Sequence, residues 1–196
     1  LEKERMDREH RQLLSRQVES ALPKMRDELL RELLEIPYNP YRETRIRHRL
    51  TTLQLDWVLK KKLAVLAIEV DDMKAIENRE GSRREKELIL YGIGNVVKQT
   101  LEEDCSLRSA LYPDSKNRWI VVAECRDSGQ LEEHRELGAL CIRRINQFVK
   151  VNVSAAVCSA PDYASGLHAM YSETEDILEQ KAVYGGNRLL TSLGWE

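Results

Sequence analysis

The sequence has no apolar run approaching roughly eighteen residues, so no segment reads as a membrane span. It carries no signal-peptide pattern at its amino-terminal end. Excess charge is also missing. Thirty-one Lys and Arg stand against thirty-three Asp and Glu, for a net charge of −2, which gives no electrostatic pull toward nucleic acid or a membrane surface. Cysteine is sparse. Cys105, Cys125, Cys141 and Cys158 lie scattered among apolar neighbours, without metal-ligand spacing. They read as reduced core thiols of a cytoplasmic protein. The histidines His10, His48, His134 and His168 are dispersed and form no triad order with a serine. There is no phosphate loop: Gly92 and Gly94 of "YGIGNVV" fall inside a helical pattern, not after a strand. "NVS" at Asn152 matches a glycosylation acceptor, but it sits in an apolar strand and carries no weight here.

What is present is a chain of 196 residues, 42% hydrophobic and 33% charged. That suits a globular domain of ordinary size plus an extra, highly charged element. It starts at Leu1 and ends at Glu196, and the expectation is an excised fragment whose function draws on flanking parts.

Residues 1–36 contain no glycine and are rich in Glu, Arg and Leu. Leu14, Val18, Leu22, Met25, Leu29, Leu33 and Ile36 recur every three or four positions, one stripe on a helix. Charge covers the other faces, so the stripe needs a partner. Two arrangements fit: a dimerising coiled coil, or packing on the chain's own domain. Pro23 predicts a kink or restart. "IPYNPYRE" then marks a linker, followed by a short helix over about 42–55. Its "RETRIRHR" reads as a solvated face and not as a nucleic-acid patch.

From Leu63 the pattern alternates. A strand over 63–70 leads into helices over 72–79 and 84–102. "SLRSALYP" and "RWIVVAEC", joined by "DSKN", form a hairpin. A helix capped by Asp127 or Ser128 runs to about Val149. "VNVSAAVC" is a further strand. A last helix opens at Ser172, and "YGGNRLLTSL" adds a short strand. The order βααββαβαβ predicts an α+β fold, an α/β sandwich with a mixed sheet and packed helices behind a long N-terminal helix. Three segments follow: 1–36 linker or coiled-coil helix, 37–62 linker and short helix, 63–196 main domain.

The best candidate chemistry is the acid group Glu69, Asp71 and Asp72 at the end of an apolar strand, with Lys74 one turn on. Magnesium takes hard oxygen ligands, one or two carboxylates with phosphate oxygens and water. A second carboxylate should converge from the hairpin tip. Lys116, Asn117 and Arg118 stand there instead. They would repel a cation, and they could neutralise Glu69 or Asp71 as a salt bridge. Asp114, the remaining acid, reads as a turn former. No metal and no cofactor is expected.

These residues resemble a family. "LAIEVDDMKAIENREG", "VNVSAAV" and "ILEQKAVYGGNR" are similar, in order and spacing, to the first strand and helix, a later strand and the closing helix of GGDEF domains, the nucleotide-cyclase-like fold that makes cyclic di-GMP. The resemblance covers residues 63 to about 190 and implies a ferredoxin-like, GGDEF-like sheet. It puts the family's signature on Ser115, Lys116, Asn117, Arg118 and Trp119, without its acids or glycines. Its metal Asp falls on Glu69, its guanine contacts on Glu77 and Lys86, and its phosphate lysines on Lys74 and Lys181. Its Arg near the end becomes Gly186, with a one-residue shift. Its Arg-x-x-Asp product site falls near Ser106 to Ser109, without the required pair. The resemblance therefore implies that the chain is not an enzyme, with Glu69, Asp71, Lys74 and Lys181 lining a vestigial ligand cleft.

"RQVESALPKMRDELLRELLEIPYN" further resembles the linker helix of YesN-like, AraC-type two-component response regulators. In them a receiver domain precedes a long helix, a degenerate GGDEF-like domain and a paired helix-turn-helix. This implies a cytoplasmic relay and dimerisation module in a transcription regulator. Its partners would be an upstream receiver, a downstream DNA-binding domain, a cognate sensor histidine kinase and a second copy held through Leu14, Val18, Leu22, Met25 and Leu29. Direct nucleic-acid and membrane contact is not expected. The alternative is a ligand-sensing degenerate domain that binds a nucleotide without turnover.

Overall fold

A computed structural model describes residues 1–60, 62–125, 131–160 and 166–191. Helix α1 spans Glu2–Glu35, and a short 3-10 turn, Pro40–Arg42, leads to α2 (Glu43–Thr52) and α3 (Trp57–Lys60). Then come β1 (Lys62–Val70), α4 (Met73–Glu77), α5 (Ser82–Asp104), β2 (Ser109–Pro113), β3 (Trp119–Cys125), α6 (Glu132–Phe148), β4 (Val153–Ala160), α7 (Leu167–Glu179), α8 (Lys181–Tyr184) and β5 (Leu189–Thr191).

The strands form one sheet in the order β2-β3-β1-β4-β5. The first three pairings are antiparallel, and β4 with β5 is parallel. β1 is central and buried on both sides, which explains its unbroken apolar run in place of an alternating one. The strand period of two divides its side chains between two cores. Leu63, Val65 and Ala67 join α1, α2, α3 and α7 on one face. Leu66, Ile68 and Val70 meet α5 and α6 on the other. The result is the expected α+β sandwich of three layers.

α1 differs from the expected restart. It runs unbroken through Pro23 and ends where Ile36 turns extended (φ −109°, ψ 135°), the conformation a following proline imposes. Its apolar stripe divides. Leu29, Leu30, Leu33 and Leu34 are buried in the chain's own core, and Leu22 packs partly against it. Leu29, and in part Leu22, are therefore corrected from dimer positions to core positions. Leu14, Val18 and Met25 stay exposed. The stretch 37–62 is more than a linker: Leu50, Leu53, Leu55, Trp57 and Val58 belong to the same core.

α7 also begins earlier than expected. Ser172 does not cap it but lies inside it. Leu167, Met170, Tyr171, Thr174, Ile177 and Leu178 are buried, a helical stripe that starts before Ser172. Asp127 and Ser128, the expected caps of α6, lie outside the described residues.

Candidate functional site

Glu69 is the next residue after Ala67 on the α7 face of β1, because alternate side chains share a face. There it meets Lys181 of α8, whose Nζ lies 2.9 Å from Glu69 Oε2 and 3.5 Å from Asp71 Oδ1. Asp71 is held more completely. Its Oδ1 accepts a hydrogen bond from Ser154 Oγ (2.6 Å), and its Oδ2 accepts one from the backbone N–H of Asn187 (2.7 Å). Gly186 passes so close that a Cβ there would stand 2.5 Å from Asp71 Oδ2. Asp71 thus ties the end of β1 to β4 and to the loop before β5, and acts as a junction, not as a free ligand. Lys74 is exposed on α4 and does not line the cleft.

The hairpin tip closes on itself. Asp114 Oδ1 accepts from the backbone N–H groups of Lys116 (3.0 Å) and Arg118 (2.7 Å), and its own N–H donates to Arg118 O (2.9 Å). Asn117 takes a positive φ of 60° within this turn, a conformation that Asn tolerates better than most residues. Arg118 folds back onto Asp114, Nε to Oδ2 at 2.8 Å, and its Nη2 donates to Tyr171 Oη (2.6 Å). The guanidinium also lies 5.3 Å from the Tyr171 ring centroid. Burial alone would lower the Arg118 pKa, but the charge of Asp114 beside it holds the group above its ordinary value. Burial pushes the Tyr171 phenol up, and its hydrogen bond to Asp114 adds to the rise.

Lys116 pairs with Glu175 of α7. The expectation that tip cations neutralise Glu69 or Asp71 is therefore corrected. Lys181 does so, because the buried carboxylate of Asp114 claims Arg118 first. Ser115 turns the other way, to Glu35 of α1. Trp119 donates its Nε1–H to Leu90 O (2.7 Å) and lies over Gly94. Glu77 and Lys86, the positions matched to guanine contacts, pair with each other at 2.7 Å.

A cleft of about 390 Å³ opens between Glu69, Lys181, Lys116, Arg118 and Glu175. Of the four residues expected to line the cleft, Glu69 and Lys181 do so, whereas Asp71 is held in its junction and Lys74 stays outside. Sequence misses Asp114 as the buried partner of Arg118, and it misses Ser154, Tyr171 and Glu175 altogether. An acid four residues before Arg118 was a visible signal for the first. No local pattern marks the others. Among the described residues no three His, Cys, Asp or Glu side chains gather as a metal-ligand set. With an ammonium between Glu69 and Asp71 and two further cations along the wall, this donor set does not fit a divalent cation. No helix among the described residues is long and apolar enough to cross a membrane.

No family model matches the sequence, and no curated protein does either. Solved structures do. The active GGEEF domain of a diguanylate cyclase from Vibrio cholerae matches 74% of this chain over 87% of its own, at 14% identity and a TM-score of 0.50. The coiled coil and GGDEF domain of DgcB from Caulobacter crescentus, in complex with c-di-GMP, matches 68% of this chain over 71% of its own, at 9% identity and a TM-score of 0.50.

Proposed function

We infer a signalling function from a fold that is GGDEF-like, the architecture of an active diguanylate cyclase domain; that likeness overturns the expectation that the chain is not an enzyme, which was drawn from the altered residues at 77, 86, 106–109, 115–119 and 186. We propose that the chain serves as the relay and dimerisation module of a bacterial two-component response regulator that controls transcription. In this reading a cognate histidine kinase phosphorylates an upstream receiver, the receiver moves α1, and the GGDEF-like body passes the change to a downstream AraC-type helix-turn-helix. That last domain alone touches DNA. The module works in the cytoplasm, as a homodimer, without membrane contact. The carrying observation is the division of α1. Its last turns are built into the core, whereas residues 1–21 are exposed throughout, with Leu14 and Val18 at 46% and 59%. An apolar stripe left open on a projecting helix suits pairing with a second copy. The experiment is the solution mass of the chain with Leu14→Glu and Val18→Glu together. A fall from dimer to monomer is expected, and an unaltered mass would remove the pairing.

A second reading is favoured by the cleft itself. Its charged walls suit a nucleotide. Thermal shift with GTP, GDP, ATP and cyclic di-GMP, with and without magnesium, tests it, and no shift with any of them removes it. GTP turnover belongs in the same series, because the fold is a cyclase's. Turnover that Glu69→Ala abolishes would assign the chemistry to this cleft.

A further inference from the structure

The turn that carries residues 114–118 is gripped from two sides. On one side stands the end of α1. Glu35 Oε1 accepts hydrogen bonds from the Ser115 backbone N–H, at 3.1 Å, and from Ser115 Oγ. One turn earlier, Arg31 Nη2 donates to Pro113 O at 3.1 Å, and Arg31 Nε lies 3.4 Å from Glu35 Oε2. On the other side stand Glu175, paired with Lys116 and 3.5 Å from Arg118, and Tyr171. The residues gripped on that second side form the wall of the cleft.

Glu35 is badly placed for its helix. It is the last residue of α1, and no basic residue occupies the last turn. A carboxylate at the negative end of the helix dipole is unfavourable. Its side chain is nevertheless only 12% exposed, which withdraws it from the water that would screen it. The hydrogen bonds from Ser115 and the ion pair with Arg31 offset that placement. Helix stability does not call for an acid here, whereas attachment of the hairpin does.

The mechanics follow from where α1 is anchored. Leu29, Leu30, Leu33 and Leu34 are buried, and His168 Nδ1 bonds the Leu34 carbonyl at 2.8 Å. Residues 1–21 project, an arm of about 30 Å at the helical rise per residue. The anchor lies at one end of this arm, and Arg31 and Glu35 lie within the anchor. Tilt or rotation of the arm therefore acts directly on the two side chains that hold Pro113 and Ser115.

We infer that Glu35 and Arg31 clasp the hairpin tip and couple the position of α1 to the wall of the cleft in both directions. This inference rests on the relay reading and names its device. Coupling between two sites is reciprocal. Whatever moves α1 shifts Ser115 and, through the same short turn, Lys116 and Arg118. Whatever repositions Lys116 or Arg118 in the cleft is felt at the last turn of α1.

Amide hydrogen exchange on the 196-residue chain tests this. Glu35→Ala should speed exchange at residues 114–118 by about tenfold, because local opening replaces a clasped turn. Ser115→Ala should, reciprocally, speed exchange in the last turn of α1 by at least about threefold. Arg31→Met gives a second route to the same loosening should Glu35→Ala fail to fold. Glu87→Ala, which breaks an exposed pair with Arg83 on α5, should leave both segments unchanged. Exchange at the tip within about twofold of the parent in both Glu35→Ala and Arg31→Met overturns the clasp. So does an unchanged α1 in Ser115→Ala. The mass experiment on Leu14 and Val18 stands apart: if the pairing fails there and the clasp behaves as stated, the relay reading falls and the clasp remains. The opposite pattern removes the clasp alone.

Discussion

Arg118 and Asp114 form an ion pair sealed from solvent, 2.8 Å apart, with side chains 5% and 0% exposed. Removing one partner of such a pair leaves an uncompensated buried charge, at a cost of about 3–5 kcal/mol. Arg118→Met should destabilise the chain by that amount in chemical denaturation. Arg118→Met combined with Asp114→Asn should recover part of the loss, because the stranded carboxylate is gone. A fully additive double mutant would show that the two residues do not act as a pair.

Asp71 should matter to stability more than Glu69 does. Asp71→Ala strands the Ser154 hydroxyl and the Asn187 amide, at a cost of about 1–3 kcal/mol. Glu69→Gln breaks only a half-exposed pair with Lys181, worth about 0–1 kcal/mol. Urea midpoints of the two variants compare them directly, and equal losses would deny Asp71 its junction role.

Gly94 should not accept a side chain. A Cβ there would lie 2.3 Å from Trp119 Cζ2, and ring displacement of this kind costs about 1–3 kcal/mol. Gly94→Ala should lower the melting temperature and alter Trp fluorescence. In a Trp119→Ala background the same change should be tolerated.

His134 gives the chain a pH dependence of definite sign. Its ring is buried, and burial depresses its pKa below the ordinary histidine value of about 6.5. Its Nε2 sits 3.0 Å from Glu124 O, so the neutral ring donates that proton. The unfolded chain takes up a proton as pH falls through about 6.5, while the folded chain resists until the lower folded value. Stability is therefore fully present above the unfolded pKa and is lost as pH falls from there toward the folded one. His134→Asn should flatten this slope between neutral and mildly acidic pH, read as melting temperature against pH. An unchanged slope would assign the dependence elsewhere.

Much of this architecture was legible in the residues themselves. The apolar run of β1, the hairpin around "DSKN" and the stripe of α1 are local patterns, set by the periods of strand and helix. They determined the element order and the mixed sheet, whereas the meeting of Glu69 with Lys181 was implied by the family resemblance and not by these periods. Pro23 misled because a proline signals a break locally, whereas burial of Leu29, Leu30, Leu33 and Leu34 holds the helix in place from outside it. Ser172 misled because a cap motif can recur inside a helix whose stripe began earlier.

The partner of each charge was decided by tertiary structure. Sequence shows four cations and several acids near one place, but an ion pair depends on distance and burial, and both are fixed across the sheet. Asp114 takes Arg118 because both are shut from water in the same turn. Lys181 goes to Glu69 because α8 follows α7 onto that face of β1. Glu35 reaches Ser115, eighty positions away, because α1 packs along α7 and β2. Residue types and their periods determined which elements form. Only the packing of those elements decided which groups neutralise one another, and so how the cleft is walled and what holds its rim.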